Sequence, residues 1–229
     1  MNHTPTPPIQ LDIISDVICP WCYIGKRNLD RVLQNLSETG THRVNIMWRP
    51  FQLDPQTPPE GYDRAKQMQR KFGADGGRKI YQNILAASEG CGINFAFDKI
   101  MRTPNTLNAH RLIRWAASTG AQHQVVESLF ASYFEQGKDI SDKDILLDIA
   151  RDNMMDVALV QQLLASDVDI AQTQNDDAAA RDLGVSGVPA FLVGGKMLLM
   201  GAQDPAYLLK FLTRAQEKLL AQTVANSTS

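Results

Sequence analysis

Two cysteines three residues apart, in Cys19-Pro20-Trp21-Cys22, stand where a strand pattern gives way to a helix pattern, and that placement constrains the fold more than any other feature of the chain. Upstream, Ile9-Gln10-Leu11-Asp12-Ile13-Ile14 alternates and closes on an apolar pair, as a buried strand does. Downstream, Leu29, Val32, Leu33 and Leu36 recur at i, i+3, i+4 and i+7, one face of a helix. Proline after Cys19 suits a first helical turn, where its missing N–H has no partner to lose. Unpaired N–H groups and the helix dipole favour negative charge at that end, so Cys19 is expected to hold a thiolate more readily than a free cysteine. Cys22 falls one turn further along the same face, within reach of a short disulfide. The arrangement points to dithiol redox chemistry.

The rest of the chain supplies a sheet in two halves. The helix over about 20–38 stops at Gly40, and Val44-Asn45-Ile46-Met47-Trp48-Arg49 alternates up to Pro50, so the chain opens β-α-β. A Pro-rich linker at 55–59 and a polar, basic stretch from Tyr62 to Phe72 follow. Helices are then expected at about 77–89, from Leu107 to Gly120, and through Val126, Leu129, Phe130 and Tyr133 to Gly137. Ser141-Asp142-Lys143-Asp144 resembles a capping box ahead of Ile145, Leu146 and Ile149. Further helical segments cover about 156–166 and 168–183. The pattern returns to strands at Ala190–Val193 and Lys196–Met200, a hairpin turned by Gly194-Gly195. Asp204-Pro205 then opens a last helix with Leu208, Phe211, Leu212, Ala215 and Leu219 on its core face. Neither β-α-β nor α-β-β-α makes a full sheet alone. Joined, they give an α/β thioredoxin-like fold with a large all-helical insertion. The expected division is 9–55 with 168–222 as the discontinuous thioredoxin-like domain, 56–167 as the insert, and 1–8 and 223–229 as flexible tails.

Composition narrows the setting. With 229 residues and a formal charge of −2, nothing electrostatic calls for nucleic acid or an anionic membrane. Residues 1–8 hold no Lys or Arg and lead into a strand rather than an apolar plug, so no secretory signal is read there. No apolar run approaches a membrane span. Taken as the complete chain, it reads as a soluble cytoplasmic protein of unknown oligomeric state. In a reducing compartment three cysteines make a structural disulfide framework a poor reading.

In dithiol exchange the exposed thiolate attacks a partner sulfur to give a mixed disulfide, which the second thiol resolves. Cys19, at the dipole end, is the expected nucleophile and Cys22 the resolver. The competing reading, half of a zinc site, needs two more ligands. Cys91 and histidines without paired spacing are what remain, and no metal is expected. A second constellation, Gly184-Val185-Ser186-Gly187-Val188-Pro189, sits at the mouth of the hairpin, where a proline that cannot donate to a ladder fits a turn or an edge.

Together with Tyr23-Ile24-Gly25-Lys26-Arg27 and Arg49-Pro50-Phe51, these motifs give a chain that resembles the DsbA-like thioredoxin family over about residues 9–220. More narrowly it resembles the cytoplasmic FrnE-type branch of dithiol-disulfide oxidoreductases and isomerases. The resemblance implies a cis Val188–Pro189 bond facing the cysteines, with Val188 backbone groups pairing with a bound peptide or glutathione. It implies no bound cofactor, with glutathione as a co-substrate and protein thiols or disulfides as partners. Trp21 stands where periplasmic oxidases of this family carry histidine, so reduction, isomerisation and glutathione-linked exchange all stay open. The expected substrate-contacting set is Val188, Pro189, Pro20, Trp21, Asn105 and His110.

Other residues carry two readings each. Asn105 and His110 lie in a stretch that in this family starts an insert helix near the cleft. Asn105 reads as a helix cap before a ligand contact, and His110 as a hydrogen-bonded core histidine before a proton relay. Asp16 reads as a turn or surface carboxylate before a tuner of the thiols, and Cys91 as an ordinary thiol before a third redox partner. Arg64, Lys66, Arg70 and Lys71 read as a solvated face. Trp21, Phe51 and Trp115 read as core before an apolar substrate rim.

Two rival functions remain. One is a glutathione-dependent isomerase or transferase like 2-hydroxychromene-2-carboxylate isomerase and the kappa-class glutathione transferases, which typically carry serine in place of the first cysteine and lack the second. The other is a non-catalytic binding or chaperone module with a vestigial dithiol.

Overall fold

The computed structural model describes residues 7–40 and 42–227. Of the expected tails, residues 1–6 and 228–229 lie outside the described residues. Strand β1 (Ile9–Ser15) lies between β2 (Val44–Pro50), which is parallel to it, and β5 (Ala190–Val193), which is antiparallel. Strand β6 (Met197–Met200) closes the order β2-β1-β5-β6. Helix α1 (Pro20–Thr39) makes the β1-to-β2 connection and ends at Gly40 in the left-handed region, φ 64°. Both halves of the sheet are thus built as the strand patterns predict, and they meet where Leu11 and Ile13 of β1 pair with Val193 and Phe191.

The alternation of β1 decides its two faces. Ile9, Leu11 and Ile13 point into the main core with Leu29, Val32 and Leu36 of α1 and Leu208 and Leu212 of α8 (Pro205–Ser227). Ile14 points the other way, into a smaller core with Phe51, Ala180, Val185, Ala190 and Leu192. Ala180 belongs to α7 (Ile170–Asp182), which covers that second face.

Between β2 and α7 runs a helical insertion: α2 (Arg64–Ala87), α3 (Leu107–Trp115), α4 (Gln122–Phe134), α5 (Lys143–Asp152) and α6 (Val157–Leu164). It also holds a two-rung antiparallel ladder, β3 (Tyr62–Asp63) with β4 (Arg102–Thr103), which sequence patterning does not signal because two rungs leave no periodicity. The insert shares the main core through Leu112, Leu129, Phe130, Phe134, Leu146 and Ile149. Its hold on the sheet is specific at one point. Strand β2 is an edge, and the outward-facing N–H of Trp48 donates to Gln122 Oε1 at 3.1 Å, while Gln122 Nε2 donates to the Ile113 carbonyl at 3.0 Å. One buried amide satisfies the strand edge and a helix carbonyl together.

Two local details add to or differ from the sequence reading. After the β3 residues Tyr62–Asp63, the polar stretch is helical from Arg64: Asp63 caps α2 by accepting from Lys66 N at 2.8 Å, and the helix continues past a break at Gly73 (φ 68°, ψ −179°) into the expected segment. Its exposed polar side chains leave little apolar periodicity to read. At α5 the cap is Asp142, which accepts from Asp144 N at 2.9 Å, whereas Ser141 Oγ donates to Asp139 Oδ1 at 2.6 Å. Among the described residues no helix is long and apolar enough to cross a membrane.

Candidate active site

Cys19 is the N-cap of α1, with extended backbone (φ −94°, ψ 113°) and Pro20 directly after it. Its own N–H is bonded to the Asp16 carbonyl at 3.0 Å, and its carbonyl accepts from Cys22 N at 3.0 Å and Tyr23 N at 3.3 Å. The turn that ends β1 and the first turn of α1 therefore share Cys19 as their common residue. No disulfide joins the two cysteines. Neither is open to solvent: Cys19 is 4% exposed and Cys22 1%, so the exposed nucleophile expected from the sequence is instead a covered one. Trp21, between them, is the residue of the motif that reaches the surface, at 38%.

What covers Cys19 comes from the far end of the chain. The Val188–Pro189 bond is cis, and the Cys19 thiol donates to the Val188 carbonyl oxygen at 3.6 Å. Helix α1 approaches this loop closely because residue 25 is glycine: a Cβ there would stand 2.9 Å from Pro189 Cγ. The Pro189 carbonyl is in turn held by Gly201 N at 2.7 Å. Cys19 and Pro189 are thus buried against the half-buried Val188, and Trp21 is exposed beside Cys19 in the chain.

Cys22 lies beneath it. Burial, and then the hydrogen bond to and charge of Cys19, push its thiol well above the ordinary value; the Ser15 hydroxyl and an Asp16 backbone group act in the opposite sense without offsetting them. Cys22 is a neutral thiol near neutral pH.

Asp16 opens the turn before Cys19, as expected, but it is fully buried, which corrects the expectation of a surface carboxylate. Its Oδ2 accepts from Leu53 N at 2.7 Å and its Oδ1 stands 3.4 Å from Nε2 of His110, itself 4% exposed on α3. The carboxylate links the turn before Cys19 to the chain after β2 and to the insert. Asn105 is spent on structure: its Nδ2 donates to the Thr57 carbonyl at 2.6 Å and its Oδ1 accepts from Leu107 N at 2.9 Å, at the start of α3. Of the three aromatics, Phe51 is buried under the Arg181 guanidinium at 4.0 Å, Trp115 donates to Asp169 at 2.9 Å, and Trp21 alone is at the site. The Cys91 thiol donates to Asn28 Oδ1 at 3.6 Å, on α1. The basic residues of α2 have local partners, Arg64 on Thr103, Arg70 over Tyr62 and Lys71 near Asp54.

Sequence reasoning misses a polar cluster one residue past the dithiol. Tyr23 Oη lies 2.9 Å from Glu127 Oε1 and 2.8 Å from Glu135 Oε1, and accepts from Arg27 at 3.1 Å. Burial and the Glu127 charge hold the phenol far above its usual range. Lys26, 4% exposed, bridges Asp30 at 2.9 Å and Glu127 at 2.8 Å. The Tyr23/Arg27 and Lys26/Asp30 spacings of four along α1 are visible in the sequence; their common partner on α4 is not. The second missed device is Asp177, which accepts from Gln52 N at 2.7 Å and pairs with Arg181, while Arg181 donates to the Gln52 carbonyl at 2.5 Å.

A family model described as the DSBA-like thioredoxin domain matches residues 10–213. Among curated proteins, the uncharacterized protein YwbO of Bacillus subtilis (strain 168) is 23% identical over 212 residues, covering 92% of this chain and 98% of that one. Among solved structures, the probable DsbA oxidoreductase SCO1869 from Streptomyces coelicolor superimposes with a TM-score of 0.80 at 24% identity, over 90% of this chain and 89% of that one. The cytosolic disulfide reductase DsbM from Pseudomonas aeruginosa, in its structure with GSH, gives 0.59 at 16% identity, over 93% and 98%. At these identities the two structures show a shared fold.

Proposed function

The chain belongs to the DSBA-like thioredoxin domain family, and we propose that within it this protein is a thiol–disulfide oxidoreductase or isomerase of the cytoplasmic FrnE-type branch, working through Cys19 and Cys22. The observation that carries the reading is the seat of Cys19: a helix N-cap, one turn from a second thiol, with its Sγ against the Val188 carbonyl. In the reducing direction, the Cys19 thiolate attacks one sulfur of a substrate disulfide. A Cys19–substrate S–S bond forms as the substrate S–S breaks, and the leaving thiolate takes a proton. Cys22 then loses its proton and attacks the Cys19 sulfur. The Cys19–Cys22 disulfide forms, and the substrate leaves as a dithiol, or two thiols, having gained two electrons. Isomerisation uses the first step and its reversal. Val188 and Pro189, with Pro20 and Trp21, form the surface on which the substrate backbone lies once it displaces the Cys19 hydrogen bond.

Residues 9–55 and 168–222 act in this reading as the thioredoxin-like body, and 56–167 as the insert that shapes the approach. Protein thiols or disulfides and glutathione are the proposed partners; the structural relative solved with GSH supports the second. The presence of both cysteines favours this over a glutathione-dependent isomerase, which has no use for a resolving thiol. Equilibration in glutathione buffers with thiol trapping tests the proposal. A reversible two-electron transition of Cys19/Cys22 is expected. A glutathione adduct confined to Cys19, or no disulfide in any buffer, overturns it in favour of the isomerase or transferase.

A further inference from the structure

A second cavity, of ≈ 610 Å³, opens along the free edge of β2, between that strand and helices α3, α6 and α7. None of Cys19, Cys22, Val188 or Pro189 lines it. Its size falls in the range of about 300–1,000 Å³ that holds small organic ligands. Trp48, Ile113, Trp115, Val126, Val160 and Leu163 give it apolar, partly aromatic walls.

Part of its lining is different in kind. Thr173, His110 and Ser15 also line the cavity, 1%, 4% and 4% exposed, and Thr173 Oγ1, His110 Nε2 and Ser15 Oγ have no hydrogen-bond partner among the described residues. His110 Nε2 stands 3.4 Å from Asp16 Oδ1, outside hydrogen-bond geometry, and Asp16 Oδ1 is itself unpaired among the described residues. Buried polar atoms are nearly always paired, so three unpaired ones on residues that line one cavity point to a place where a polar atom of a ligand fits. The cations on the cavity wall are already matched. Arg49 is held by Asp12 at 2.6 Å, and Arg114 by Asp169 at 3.3 Å and Asp176 at 2.8 Å. An anion entering the cavity would find no counter-charge of its own.

We propose that this cavity is a binding site for an uncharged aromatic carbonyl compound, its rings against Trp48 and Trp115 and its oxygen accepting from Thr173 Oγ1 and His110 Nε2. The site is independent of the dithiol chemistry.

The probe is 2-acetonaphthone, titrated into the full chain carrying Trp21→Phe, in which the two remaining tryptophans both line the cavity. Saturable quenching of their emission is expected. Val160→Phe, which fills the cavity, should weaken binding at least tenfold. Thr173→Val should weaken the ketone about two- to tenfold, the equivalent of one hydrogen bond, and leave naphthalene, which has no oxygen, unchanged. Should Val160→Phe not fold, as judged by its circular dichroism and unfolding midpoint, the Thr173→Val comparison decides alone. Cys19→Ala/Cys22→Ala should bind as tightly as the parent. No saturation up to the solubility limit, meaning a cavity that holds solvent only, overturns the proposal. So does equal affinity in Thr173→Val, loss of binding in the double-cysteine variant, or tighter binding of 2-naphthoate than of the ketone.

Discussion

The Cys19 thiol donates to the carbonyl oxygen of Val188, 169 residues away in the chain, across 3.6 Å. In the proposed function that carbonyl is the backbone group with which a bound peptide strand pairs, and substrate binding and exposure of the Cys19 nucleophile then become the same event: an incoming backbone that pairs with Val188 would free Cys19 at the moment a disulfide is brought to it.

The two cysteines should therefore fail differently. Cys19→Ser should lower turnover of a peptide–glutathione mixed disulfide by about 10³-fold or more, as expected when a nucleophile is removed. Cys22→Ser should accumulate a Cys19-linked mixed disulfide that intact-mass measurement detects and dithiothreitol releases. Equal trapping by both variants would contradict the assigned order.

Cys22 has its pKa raised in the folded state, by burial first. Its alkylation by iodoacetamide should be slow at neutral pH and rise only above the ordinary thiol range, while Cys19 reacts first; peptide mapping after short exposures separates the two. The linkage sign follows. A thiol with a raised folded pKa contributes stability that is full below its unfolded pKa and is lost as pH rises through the folded one. The urea midpoint of the dithiol protein should fall on the alkaline side, and Cys22→Ala should flatten that slope.

Gly25→Ala tests the close approach of α1 to the loop. The added Cβ stands 2.9 Å from Pro189 Cγ, so the loop or the helix must shift. A cost of about 1–3 kcal/mol is expected from overpacking, read as the urea midpoint. Disulfide exchange should fall further than the small loss of folded protein explains, because Val188 moves with Pro189.

Gln122→Leu removes both halves of the bridge between the sheet edge and α3, leaving the Trp48 N–H and the Ile113 carbonyl unpaired. A loss of about 1–3 kcal/mol per group left unsatisfied is expected, with a shift in Trp48 emission. Gln122→Glu, which keeps the acceptor for Trp48 but loses the donor to Ile113, should fall between.

The legible part of the site is the local part. The Cys19/Cys22 spacing, the helix that begins there, the strand before it and the hairpin after Pro189 all follow from residues within a few positions of one another. Asp16 shows the limit. Its distance from Cys19 is plain in the sequence, but whether it faces water or Leu53 N and His110 depends on segments 37 and 94 residues further on. Asn105 was readable as a residue that bonds backbone at the start of α3, because its bond to Leu107 N needs only near neighbours, although the N-cap itself is Thr106. The first half of α2 was not, because a solvated helix carries no apolar stripe and its start rests on one short-range bond from Asp63.

The sequence by itself determined which residues the proposed chemistry would use, since helix geometry, strand alternation and the needs of a thiolate act over three or four positions. Only the tertiary structure decided what those residues meet. That Val188 covers Cys19, that Tyr23 is clasped by two glutamates of the insert, and that a cavity remains along the edge of β2 are outcomes of packing. Packing is a property of surfaces brought together from distant parts of the chain, and no local pattern encodes which surfaces those will be.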